Sequence, residues 1–116
     1  MYKLILTILI ASVAMNVFAQ QGIYNQNVDK KTYDLFVKSD WDSLREVGEN
    51  AVDNGIDFYF LRMRLGISYY NEKNYMSSVP HFEKAVSFNP KDSVALEYLY
   101  YSYLFSGQDA EANLLA

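Results

Sequence analysis

A chain of 116 residues has room for one small domain, and with no cysteine it holds no disulfide, no thiolate metal site and no cysteine nucleophile. A formal net charge of −4 and a pI near 4.8 exclude a nucleic-acid partner, because neutralising phosphates takes clustered Lys and Arg. The lack of cysteine also excludes a lipoprotein, whose processing site requires one.

Met1 to Ala19, MYKLILTILIASVAMNVFA, is composed as a secretory signal peptide. Lys3 supplies a positive start, Leu4 to Met15 is almost wholly apolar, and Val17-Phe18-Ala19 precedes polar Gln20-Gln21-Gly22. A membrane anchor is the competing reading. Crossing the hydrocarbon takes about 20 apolar residues, and this run is shorter and interrupted by Asn16. The expectation is cleavage after Ala19 and export to a bacterial periplasm or cell envelope, since small eukaryotic secreted domains tend to carry disulfides. Residues 20–27 are polar with no apolar period and are expected to be a flexible lead-in.

From Val28 the apolar spacing turns helical through Tyr33, Leu35 and Phe36, ending near Lys38-Ser39. Asp40 is a good N-cap for a second helix, Trp41 to Asn54, with Leu44, Val47, Ala51 and Val52 on one face and Gly55 at its end. A third helix, about Phe58 to Asn71, is apolar on most faces and leaves mainly Arg62, Arg64 and Asn71 for solvent. Asn74 caps a fourth, Tyr75 to about Phe88, which Asn89-Pro90 stops because the residue before a proline avoids the helical region. Pro80 inside it removes one backbone hydrogen bond and predicts a kink. Asp92 or Ser93 caps a fifth helix, Val94 to Phe105, and Asp109 begins a sixth.

One constant shift along the chain superposes these segments without gaps. Under it Leu35, Tyr69 and Tyr103 coincide, as do Ser39, Lys73 and Gly107, then Asp40, Asn74 and Gln108. The stretch Tyr59 to Asp92 carries Leu65-Gly66, Tyr69, Phe82, Ala85 and Pro90. In this it resembles the tetratricopeptide repeat (TPR) family, whose repeat is about 34 residues long. The resemblance implies an all-α solenoid of two to three antiparallel helix-turn-helix units. It makes Leu65, Phe82 and Ala85 core residues and Gly66 the point where two helices come close. The first unit departs from the pattern, with Thr32 in place of that glycine and Gly48 in place of Phe82; the third has Tyr100 in place of Gly66. The domain plan is a signal peptide at 1–19, a lead-in at 20–27 and a repeat domain at 28–116, with units about 25–58, 59–92 and 93–116. The last unit is incomplete and ends on apolar Leu114-Leu115. A repeat array needs a polar terminal face, so the expectation is that the natural chain continues past Ala116, or that this end docks on a partner or on another copy.

Catalysis has no motif behind it: no Gly-rich phosphate loop, no HExxH and no GxSxG. His81 is the single histidine, no second ligand or carboxylate is placed by spacing to serve with it, and it reads as a surface or rim residue. No metal and no cofactor is called for. Trp41 is read as packing on the preceding helix, where Tyr75 stands one repeat later. Arg62 and Arg64, two apart, point to different sides and cannot form one anion fork; they are expected to meet solvent or pair with neighbours such as Asp57 and Glu97.

By the same resemblance, the first helix of each unit lines a concave groove that binds peptides. Its positions are Tyr33 and Phe36, then Phe60, Met63, Ile67 and Tyr70, then Glu97, Tyr101, Leu104 and Phe105. Met63 and Ile67 stand where some members carry groups that clamp a peptide's terminal carboxylate, so that mode is not expected. The function expected is a non-catalytic scaffold that binds a protein or peptide through this aromatic groove. The alternative is the repeat portion of a longer envelope or outer-membrane protein, with the groove packed on the following domain.

Overall fold

The computed structural model describes residues 2–116. Met1, the first residue of the expected signal peptide, lies outside the described residues. Six helices follow one another: α1 (Tyr2–Val37), α2 (Trp41–Asp53), α3 (Tyr59–Asn71), α4 (Tyr75–Phe88), α5 (Ser93–Phe105) and α6 (Asp109–Leu115). Each packs against the next, and α1 also reaches α3. Among the described residues there is no strand, so the class is all-α.

Local chemistry sets the helix ends. Asp40 and Asn74 accept hydrogen bonds from the amides of Ser43 and Ser77, and Asp92 from those of Val94 and Ala95, relieving donors that a helix start leaves unpaired. The three turns that begin at Val37, Asn71 and Phe105 close alike. Asp40, Asn74 and Gln108 donate their amides to the carbonyls of Leu35, Tyr69 and Tyr103, at 3.0, 2.9 and 2.8 Å. Each turn places one residue at positive φ: Ser39 at 56°, Lys73 at 60° and Gly107 at 79°. This is the left-handed helix stop that favours glycine, and it recurs at the constant interval found in the sequence. The Phe36–Trp41 edge-to-face pair recurs one interval later as Tyr70–Tyr75.

The core has two parts. Val28, Leu44, Ala51, Ile56, Leu61 and Leu65 form one, between α1, α2 and α3. Met63, Val79, Phe82, Ala85, Ala95 and Leu99 form the other, between α3, α4 and α5. Gly66 is the pinch point of the second: a Cβ there would come within 2.5 Å of the Phe82 ring. Pro80 lies within α4, exposed, and the helix runs on past it to Phe88.

Three expectations need correction. Residues 20–27 are helical, not a flexible lead-in, because α1 is continuous from Tyr2 into the segment that begins at Val28. Residues 2–27 of it are all exposed, and α1 is long and apolar enough to cross a membrane. Thirty-six residues at about 1.5 Å each account for most of the long dimension of the molecule, 65 Å against 32 and 20 Å. Arg62 and Arg64 do not project into solvent; their side chains retain 14% and 12% exposure. Arg62 forks onto Asp57 (2.7 and 2.8 Å), one of the two neighbours expected for it, while Arg64 binds Asp29 of α1 at 2.6 Å, and neither pairs with Glu97. His81 is not a rim residue. Its side chain is 12% exposed, stacked on Tyr69, with Arg62 Nη1 3.1 Å from its Nδ1.

Candidate functional site

One face of α1, α3 and α5 carries a groove of two lobes that meet at Val94. The larger, about 700 Å³, lies between α1, α3 and the α4–α5 junction. Tyr33, Phe36, Phe60, Met63 and Ile67 line it, all expected from the sequence, together with Tyr59, Arg64, Phe88 and the turn residues Asn89 and Asp92. Phe60 and Tyr33 are 61% and 54% exposed, large rings held in water at the mouth. Met63 is buried and belongs as much to the core as to the groove.

The smaller lobe, about 340 Å³, is lined by Tyr70, Val94, Glu97, Tyr98 and Tyr101. These positions are Phe36, Phe60, Met63, Arg64 and Ile67 moved forward by one repeat. The two lobes are one set of helix positions used twice with different side chains. Every expected groove position from Tyr33 to Tyr101 thus lines one lobe or the other, and Tyr70 also packs edge-on against Tyr75, Phe82 and Tyr98. Phe105 lines neither; it stacks beside Tyr101 and against Tyr75 at the end of the groove. Leu104 is exposed beside it.

Three polar side chains of the larger lobe, Arg64, Tyr59 and Asp92, are already engaged. Arg64 Nη1 donates to the Asp29 carboxylate and carbonyl and to Thr32 Oγ1, with its guanidinium 5.4 Å from the Tyr33 ring centre and 5.8 Å from that of Phe60. Asp92 accepts from the Tyr59 hydroxyl at 2.8 Å as well as capping α5. That hydrogen bond, aided by the α5 amides, holds the Asp92 carboxyl below its ordinary range. Burial, followed by the Asp92 carboxylate, pushes Tyr59 up to about 12. Glu97 in the smaller lobe is exposed.

A second polar cluster, on α2, α3 and α4, was not visible in the sequence. Tyr69 donates to Glu49 and stacks on His81; Arg45 reaches Glu72 at 3.0 Å and lies 4.9 Å from the Tyr69 ring centre. Burial and the Arg62 cation lower the His81 pKa to about 4, against the opposing pull of Glu49 and Asp57. The arginine can only donate, so Nδ1 accepts and the neutral ring carries its proton on Nε2. Burial and the Glu49 carboxylate raise Tyr69 to about 12.

Sequence reasoning missed Val94 and Tyr98 of the smaller lobe, and Tyr59, Arg64 and Phe88 of the larger. Val94 and Tyr98 were within reach, because they stand one repeat on from Phe60 and Arg64. Phe88 and Asn89 enter from the end of a second helix of a pair, and no periodicity on the first helices points to them. Among the described residues, no group of three His, Asp or Glu is gathered as a metal site. No protein-family model, curated protein or solved structure matches the chain.

Proposed function

We propose that the chain is a TPR-like helical solenoid acting as a non-catalytic interaction module of a bacterial periplasm or cell envelope, and that it binds a protein or peptide segment in the two-lobed groove. The observation that carries the reading is the larger lobe, where Tyr33 and Phe60 stand exposed around a volume of about 700 Å³. Contiguous exposed apolar surface of this kind marks interaction sites. The solenoid part rests on the recurrence, at one constant interval, of turn geometry, of an aromatic pair and of the groove positions themselves. The location rests on the composition of residues 1–19.

Partner side chains enter between Phe60 and Tyr33 and lie over Ile67 and Phe88. Each buried aliphatic or aromatic group contributes about 1.5–3 kcal/mol before the cost of ordering the ligand. Tyrosine hydroxyls at the rim supply orientation. Arg64 and Asp92, satisfied within the chain, shape the wall without demanding a charged partner.

The test is a photo-crosslinking residue at position 60 of the full chain in its native cells, compared with one at exposed Glu83 on α4. The expected result is a discrete cross-linked partner from position 60, lost on Tyr33→Ala, while Phe60→Ala leaves the melting temperature nearly unchanged. A loss of ~3–5 kcal/mol on Phe60→Ala, the range for a buried large-to-small change, overturns the reading and favours a groove filled by the rest of a longer polypeptide.

A further inference from the structure

The two lobes occupy the same helix positions but differ in charge, and the difference is systematic. In the larger lobe the repeat supplies its own cation: Arg64 lies beside the rings of Tyr33 and Phe60, with Asp29 as its counter-charge. One repeat on, Arg64 is replaced by Tyr98, Met63 by Glu97 and Ile67 by Tyr101. The smaller lobe has therefore lost a cation and gained a carboxylate and two phenol rings. Three tyrosines, one glutamate and one valine line it, and no Lys, Arg or His does.

We infer that the smaller lobe is a cation-binding aromatic box, which receives from a ligand the positive group that Arg64 provides within the larger lobe: a lysine or arginine side chain, or an alkylammonium group, of the bound segment. The inference rests on the groove reading above and names the chemistry of its ligand. Aromatic faces attract a cation through their quadrupole, most strongly where water is partly excluded, and a carboxylate beside them adds a direct charge partner. Tyrosine oxygens at the rim are acceptors of the same polarity. The volume of about 340 Å³ suits one side chain, not a folded element. Burial raises the Tyr70 pKa first, and Glu97 is near enough to push it the same way, which places the carboxylate by the ring. Tyr101 is 37% exposed with its ring stacked beside Phe105, so the box has a supported wall and an open side.

The probe is tetramethylammonium chloride, titrated into the full chain in detergent micelles against sodium chloride at equal ionic strength. The ring signals of Tyr70, Tyr98 and Tyr101 are followed by NMR. The expected result is a saturable shift confined to those rings and absent with sodium. Glu97→Gln weakens it about fivefold, and Glu97→Lys, which places a cation in the box from within, removes it. Glu97 is exposed, so neither change threatens the fold. Shifts that rise linearly, that sodium reproduces or that Glu97→Gln leaves unchanged overturn the inference. A saturable response with no cross-link from position 60 keeps the cation box and removes the groove reading; a cross-link with no saturable response removes the box alone.

Discussion

Residues 25–58 and 59–92 put nearly the same backbone to use with opposite choices of large and small side chains. In the second stretch Gly66 on α3 receives the ring of Phe82, fully buried, with Tyr98 stacked on that ring at 5.0 Å. In the first, the position of Gly66 holds Thr32 and that of Phe82 holds Gly48. Thr32 is also fully buried, its hydroxyl donating to the Val28 carbonyl at 2.8 Å and accepting from Arg64. Gly48 is filled from the next helix, where Leu65 and Leu61 close over it. The small residue has moved to the other helix of the pair, and the bulk now comes from the neighbouring unit. Close packing constrains the total volume at a contact more than the identity of the residue that fills it.

The largest expected contrast between the two stretches is in acid. His81 stands where Val47 stands in the first stretch, and its pKa is held at about 4 against an ordinary 6.5. Between those values the unfolded chain takes up a proton that the folded chain refuses, so stability falls as pH drops through 6.5 and levels off below about 4. The loss amounts to about 3 kcal/mol at its limit. Urea unfolding at pH 7 and at pH 4.5 measures it. His81→Gln is expected to flatten the slope between them; an unchanged slope would assign the acid sensitivity to carboxylates instead.

Next in size is the pair of glycines. Gly66→Ala presses a Cβ against a fully buried phenyl ring that also contacts Tyr70 and Tyr98, and such overpacking costs about 1–3 kcal/mol even after alanine's advantage in a helix. Gly48→Ala meets the methyl end of Leu65 at 2.8 Å, which can turn aside, and a helix-propensity gain of about 1 kcal/mol offsets most of the strain. The net loss there is expected below about 1 kcal/mol. Equal losses on denaturant unfolding would mean that the two contacts are equally rigid and would undo the comparison.

How much of this could be read from the chain follows from the range of the interactions. The Asp40 and Asn74 caps, and Trp41 lying against Phe36, depend on residues a few positions apart and were legible, as was the groove register through Phe36, Phe60, Met63 and Ile67. What escaped depends on partners far along the sequence. Arg64 finds Asp29 on a different helix, and His81 is enclosed by Tyr69 and Arg62, so neither could be placed from its own helix. The helical course of residues 20–27 escaped for the opposite reason: all of them are exposed, so no buried face imposes an apolar periodicity there.

The smallest expected effect compares the turns. Ser39, Lys73 and Gly107 adopt the same left-handed conformation, and only the third is the residue that does so without strain. An L side chain there costs roughly 1–2 kcal/mol, while glycine's greater freedom in the unfolded chain recovers part of that difference. Lys73→Gly is therefore expected to stabilise by about 0.5–1 kcal/mol, a rise of about 2–5 °C in melting temperature. Ser39→Gly should do the same to a lesser degree, because serine's hydroxyl can bond locally at such a turn. A fall in melting temperature on Lys73→Gly would show that the lysine side chain holds that turn by more than its backbone, and that the three turns, alike in hydrogen bonding, differ in what stabilises them.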